Sequence, residues 1–370
     1  MLLKKRKRMI VQTLESLNLQ EIYSLLVKLL EKSPTSKSDL LDFFRTQDEC
    51  KIINSHNTLS IIVMLTRQSV NRYAIKIECG QDSATFHELQ WYAQYSLSGI
   101  NSAFIDGSTH GNISYIIMNY IHDLTSVADI VFENNSQVKP IYQWIDTTFK
   151  ADTSLFHLTE RTTPPRIQYI DACEKLKLRI KEASQYPFLR AVVDNKTFNI
   201  NGKSCLSPQQ LLSGFYSNTS QIEKIFGNTT GIIHGDLHIG NILLSPSFED
   251  KLFILDPGST KPLPIQYDGG KILQSVHSGY EQIMRGQYSL FRHGKNTYSL
   301  KIDEVEQFKD VYFHICQTWD KKLLIGSLFM EAMHFLTVAP HHAQRHDEAR
   351  VLYLIGVQRL NELVDILSSN

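Results

Sequence analysis

The sequence carries no net charge: 38 lysines and arginines stand against 38 aspartates and glutamates. No long-range field draws it to a polyanion, so no nucleic-acid partner is expected. Cysteine is sparse. The five (Cys50, Cys79, Cys173, Cys205, Cys316) are scattered, odd in number and never in a C-x-x-C pair. That spacing argues against a disulfide framework or a zinc knuckle and fits free thiols in a reducing compartment, with the cytoplasm as the default. No apolar run reaches the ~18–20 residues that span a bilayer, so no membrane span is expected. Internal repeats and low-complexity tracts are also lacking. What remains is an ordinary composition, 42% hydrophobic and 21% charged over 370 residues, enough for a large core or more than one.

The basic start, Met1 to Arg8, is followed by a helix-like pattern in place of a signal-peptide core. It is compatible with a nuclear address or a membrane contact; a solvated, frayed terminus is the preferred reading. Residues 9–30 place Leu14, Leu17, Ile22, Leu25, Leu26, Leu29 and Leu30 at helical spacing. Ser33-Pro34-Thr35-Ser36 breaks that helix, and a short second one carries Leu40, Leu41, Phe43 and Phe44. Residues 1–48 thus read as a helical extension, for packing or for a partner.

From Cys50 the period changes from 3.6 to 2. Residues 51–54, 59–65 and 72–77 read as three consecutive strands, with Lys76 inside the third. Ser83 or Asp82 can cap a helix through Phe86, Leu89, Trp91, Tyr92 and Tyr95, with Glu88 on it. That order of strand, lysine, turn, helix and glutamate lets a Lys–Glu pair form across a nucleotide pocket. Residues 113–121 form another strand, and a helix over 127–132 follows. The expected boundary between a small sheet domain (49–122) and a larger helical one (123–370) falls here.

Beyond it, residues 140–185 read as helical and 186–215 as polar and irregular, with a turn at Asp194-Asn195-Lys196. Helical patterns recur after Tyr267-Asp268-Gly269-Gly270-Lys271, over 304–336 and over 346–367. The fold class expected from this succession is α+β.

One stretch carries chemistry. In Ile232-Ile233-His234-Gly235-Asp236-Leu237-His238-Ile239-Gly240-Asn241, apolar pairs flank a polar loop, and Phe253-Ile254-Leu255 then delivers Asp256-Pro257-Gly258. Taken singly, each polar fragment is an ordinary turn. Together, the spacing His-x-Asp-x-x-x-x-Asn followed by Asp-x-Gly is the grammar of phosphoryl transfer. A carboxylate can accept the acceptor hydroxyl's proton, and a carboxamide with a second carboxylate can hold Mg²⁺. Those groups are Asp236, Asn241 and Asp256.

These residues resemble the aminoglycoside phosphotransferase and choline kinase superfamily. The resemblance implies a protein-kinase-like fold of two lobes, a small antiparallel sheet lobe and a larger helical lobe, and transfer of the γ-phosphate of ATP (or GTP) to a small-molecule hydroxyl. It implies Asp236 as base, His234 as a structural member of the catalytic loop, and Asn241 and Asp256 as magnesium ligands. Lys76 would contact the nucleotide phosphates and Glu88 would hold that lysine. Backbone around Asn119, Tyr120 and Ile121 would meet the adenine, and Asp268 would brace the catalytic loop. A narrower likeness, from Asp256-Pro257-Gly258, Tyr267 to Ile272, Ser275 to Tyr280 and Pro340-His341, is to phosphotransferases found among bacterial surface-polysaccharide genes, which points to a sugar or sugar-like alcohol. Polarity and position nominate His238, His277, Tyr280, Glu281, His341 and Arg345 for the acceptor pocket.

Two absences cut against the pattern. Between the first two strands the glycine-rich phosphate loop is replaced by Asn54-Ser55-His56-Asn57-Thr58, leaving Ser55 and Asn57 to cradle phosphate. That is also what a nucleotide-binding pseudokinase would show. No Ala-Pro-Glu segment exists and no arginine precedes Asp236, which favours a small acceptor over a protein. A metallohydrolase using His234, Asp236 and His238 is a further alternative.

Overall fold

The computed structural model describes residues 24, 27–28, 50–54, 60–67, 70–79, 83–95, 103–133, 139–149, 159–245, 252–258 and 260–369. The expected helices in residues 1–48, and Ser55 and Asn57, lie outside or almost wholly outside these ranges. Two compact units result: Met1–Thr125 with Leu243–Thr260, and Ser126–Ile242 with Lys261–Asn370. Sequence reasoning drew boundaries after residues 48 and 122, and had no local pattern from which to draw the return at 243–260.

The first unit is built on a five-stranded antiparallel sheet in the order β1-β2-β3-β5-β4. Its strands are β1 (Cys50–Asn54), β2 (Ser60–Arg67), β3 (Val70–Cys79), β4 (Phe104–His110) and β5 (Ile113–Asn119). β3 is central, pairing Lys76 with Ile62 on one side and Ile116 on the other. Ile75 and Ile77 are fully buried and leave Lys76 on the opposite face, because side chains alternate along a strand. Helix α1 (Ala84–Tyr95) follows; Ser83 Oγ accepts from the Phe86 N–H at 3.0 Å and settles which residue caps it. Tyr92 stacks on Phe104, ring centroids 4.8 Å apart, and ties α1 to β4. β4 itself was not anticipated. Short strands Ile242–Leu244 and Leu252–Ile254 neighbour each other in another sheet, the second wholly buried.

In the second unit the principal helices are α2 (Pro165–Ala183), α3 (Gln266–Val276), α4 (Lys321–Val338) and α5 (His346–Ser368). α4 is largely apolar on every side, as a helix enclosed by others should be; Phe329, Ala332 and Phe335 on it are fully buried, and so are its polar Glu331 and His334. Extended to His342, it is the one helix among the described residues long and apolar enough to cross a membrane, and most of it is buried inside the fold. α3 lies flush against it. A Cβ at Gly270 would meet the Met330 Cβ and the Glu331 backbone nitrogen, each at 2.7 Å, so only glycine allows this approach.

Three expectations need correcting. Residues 186–215 are not irregular: a helix at Pro187–Val193, a β hairpin (Thr197–Ile200, Lys203–Leu206) and a helix at Pro208–Tyr216 fill them. Buried Phe198, Ile200 and Cys205 give the hairpin its inner face. The helical span 304–336 is two helices, Glu306–Thr318 and α4, because Asp320 caps the second by accepting from the Leu323 N–H at 2.8 Å. Residues 140–185 are likewise divided, into Lys139–Phe149 and α2. A second hairpin, Tyr288–Arg292 with Thr297–Ile302, was not foreseen; it pairs with Thr197–Ile200 in one four-stranded sheet.

Candidate active site

Two clusters of charged residues stand out, one in each unit. In the first, Lys76 Nζ lies 2.6 Å from Glu88 Oε1 and 2.8 Å from Asp256 Oδ1. The lysine and Glu88 are buried, whereas the Asp256 side chain is 55% exposed and so open to a ligand. Desolvation works against the Lys76 ammonium, but the charges of Asp256 and Glu88 outweigh it and raise its pKa. Burial pushes the Glu88 carboxyl up to about 7, with Lys76 pulling the other way. Asp256 adopts a left-handed backbone, φ 56°, one of two non-glycine residues with positive φ among the described residues. A residue held there costs about 1 kcal/mol or more, and such strain clusters at working sites.

At the end of β5 the Asn119 N–H donates to the Ala103 carbonyl at 2.8 Å, and the Ile121 carbonyl accepts from the Leu124 N–H at 3.4 Å. Tyr120 meets His122 edge to face.

In the second unit, the loop His234 to Asn241 is held from below. Asp268, in the first turn of α3, accepts from the backbone N–H groups of His234 and Gly235, each at 2.7 Å. Burial pushes Asp268 up to about 7 despite those two donors. Gly235 sits at φ 82°, a conformation that side-chain-bearing residues avoid, which is why glycine separates His234 from Asp236. His234 is buried, and its Nδ1 accepts from the Asp236 N–H at 3.3 Å.

The Asp236 side chain is 39% exposed and therefore reachable by a substrate. Its Oδ1 lies 2.8 Å from Lys271 Nζ. Burial alone would raise its pKa; Lys271, His238 and His234 outweigh that and hold it below the usual carboxylate range. Asn241 Nδ2 donates to the Asp236 carbonyl at 2.8 Å. The amide nitrogen is thereby used, and the carbonyl oxygen is the atom left for a hard cation.

Of the residues nominated for the acceptor, three assemble. His238 Nδ1 lies 3.1 Å from Glu281 Oε1, and its ring meets Tyr280 edge to face at 5.6 Å. Tyr280 is raised well above an ordinary phenol, chiefly by burial and then by Asp236, Glu281 and Glu348. His277 has other partners: it stacks on Tyr312 and pairs with the buried Glu331, which also takes Ser278. Arg345 pairs with Glu348 at 3.1 Å, and His341 is exposed in the turn before it. Among the described residues no group of three His, Cys, Asp or Glu side chains is placed to hold a metal ion. His234, Asp236 and His238 thus form no such cluster.

Sequence reasoning missed Lys271 and Lys175. Lys271 stands three residues after Asp268, one turn along the same helix, which would have been a usable signal. Lys175 carries no such sign. It lies on α2, and its Nζ donates to the Tyr267 hydroxyl at 2.5 Å. Lys175 lines a cavity of about 330 Å³.

No protein-family model and no curated protein sequence matches this chain. Solved structures do. A thermostable mutant of an aminoglycoside phosphotransferase, in apo form, is 9% identical with TM-score 0.52, over 87% of this chain and 98% of that one. A fructosamine-3-kinase homologue from Haemophilus somnus 129PT is 9% identical with TM-score 0.50, over 84% and 91%. A glucosamine kinase in complex with glucosamine, ADP and inorganic phosphate is 11% identical with TM-score 0.50, over 94% and 86%. With its α+β elements so matched, the chain has the protein-kinase-like fold of these phosphotransferase structures.

Proposed function

We propose that the chain is a small-molecule kinase, moving the γ-phosphate of ATP or GTP to a hydroxyl of a sugar or sugar-like alcohol. The observation that carries this reading is the half-open Asp236 on a loop clamped by Asp268. Phosphoryl transfer asks a protein mainly for positioning and charge compensation. With its pKa held low by Lys271, Asp236 orients the acceptor hydroxyl in line and takes its proton late, as the new P–O bond forms. His234 keeps the loop in shape through its contact with the Asp236 N–H. Lys76, held by Glu88, offers its ammonium to nucleotide phosphate oxygens. The backbone of Asn119 and Ile121 would lie against the base, and Ser55 and Asn57 against the phosphates.

The donor set fits magnesium. Asn241 and Asp256 supply a carbonyl and a carboxylate oxygen, the hard ligands this ion prefers, and it keeps waters besides. Bound there, the ion would compensate phosphate charge. The solved structures of kinases for glucosamine and aminoglycosides support a small acceptor, and the nucleotide in one of them supports ATP-type chemistry.

The test is ATP and GTP consumption by the full chain with magnesium against a panel of hydroxyl compounds. Turnover is expected, and Asp236→Asn should lower kcat by about 10²–10⁴-fold while leaving nucleotide-dependent thermal stabilisation in place. Stabilisation by nucleotide with no turnover in either protein would overturn the reading in favour of a pseudokinase.

A further inference from the structure

The cavity in the second unit is walled by α2, the start of α3, α4 and the segment Pro262–Leu263–Pro264. Its volume, about 330 Å³, lies at the low end of the ~300–1,000 Å³ usual for ligand sites, which suits one sugar ring or a short polyol. Phe226, Met330 and Met333 give it an apolar side. Its polar side is cationic: Arg161 and Lys175 face it, against a single carboxylate, Asp171. His334 also lines it, but its Nε2 is engaged by the Tyr267 carbonyl at 2.9 Å, and burial keeps the ring neutral.

The wall also contains an orphan. Gln168 spends its amide nitrogen on the carbonyls of Thr163 and Gly227, at 2.7 and 2.9 Å. Its Oε1, buried, has no hydrogen-bond partner among the described residues. That atom is closed to solvent and so to a ligand in the cavity, which leaves recognition to the cations. Asp236 and Lys271 do not line the cavity, though Lys175, Tyr267 and His334, which do, lie within their electrostatic reach.

We infer that this cavity binds an anion, a single-ring or short polyhydroxy compound bearing a carboxylate or phosphate received by Lys175 and Arg161. It departs from the amine-bearing substrate named for one of the similar structures, glucosamine, because a cation would be repelled here. Among the described residues Lys175 pairs with no carboxylate; Tyr267 alone holds its ammonium, which an anionic group can therefore approach without breaking an ion pair. Thr163 and Thr230, linked through their hydroxyls at 2.7 Å, add donors on the same wall.

The experiment uses the full chain and four hexose probes that differ mainly in charge: glucose, glucosamine, glucuronate and glucose 6-phosphate. Calorimetry should give one of the two anions at least about tenfold tighter binding than glucose, the size of one charge-assisted hydrogen bond. Glucuronate and glucose 6-phosphate separate the carboxylate from the phosphate. Lys175→Met should abolish the preference, and Lys175→Arg should keep most of it, a rescue that a merely structural lysine would not show. Equal binding of all four, tightest binding of glucosamine, no binding at all, or a preference that survives Lys175→Met overturns the inference. ATP turnover is followed in parallel: an anion preference without turnover sinks the kinase reading and leaves this one standing.

Discussion

The two charged clusters are built in opposite senses. In the first unit one cation, Lys76, serves two carboxylates, Glu88 and Asp256. In the second, one reachable carboxylate, Asp236, stands among cations: Lys271 pairs with it and Lys175 lies in its field. The first is short of positive charge and so receptive to a divalent ion. The second has positive charge to spare, which suits an anionic partner. Each cluster thus announces by its imbalance what is to complete it, an argument from charge alone that needs no homologue.

The largest effect expected is from removing the first cluster's single cation. Lys76→Met should lower kcat/KM by about 10²-fold or more, as losing one preorganised donor to developing charge does, read in a coupled ATP assay. A drop of less than about threefold would break the comparison. Gly270→Ala acts on the second cluster through its support. A methyl there meets the α4 backbone, and overpacking of this kind costs about 1–3 kcal/mol, measurable as a lowered denaturant midpoint with an unchanged slope.

Acidity sharpens the contrast further. Desolvation first, then the Lys271 and Arg179 charges, bring the Lys175 ammonium down to about 8, with Asp236 opposing them. Arg161 and Asp171 share its cavity, neutral His334 and Tyr267 face it, and Arg179 is itself paired with Glu182. Because the charged form is lost as pH rises through that value, anion affinity should be full at pH 7 and weaker by about tenfold near pH 9. Calorimetry with glucuronate across that range checks it, and a flat profile would remove Lys175 from the recognition. The smallest effect belongs to the cap of the helix carrying Glu88: Ser83→Ala should cost about 1 kcal/mol, seen as a modest fall in Tm.

How much was legible follows from distance along the chain. Lys76 and Glu88 are twelve residues apart on a strand and the next helix, so their pairing could be read from element order. Asp268 reaches back 34 residues to His234, and only the family resemblance suggested that role. The pair Lys271–Asp236, 35 residues apart, was passed over, because Gly269-Gly270 beside it reads as a turn and not as a helix pressed on its neighbour. Lys175 could not be found: 92 residues separate it from Tyr267, and a lysine on an amphipathic helix is ordinarily a solvated one. Among strands, β4 was overlooked because Asp106, Gly107 and Ser108 have loop chemistry; its partners on β5, not its own residues, make it a strand. The hairpin at 197–206 was too short for its alternation to rise above the polar residues around it.

Gly235 has one more consequence. Kinases that switch by phosphorylation of a neighbouring loop read the new charge with an arginine. Residue 235 has no side chain, and its backbone, at φ 82°, would tolerate one poorly. The loop from His234 to Asn241 therefore has nothing at this position with which to sense a phosphate placed on another segment.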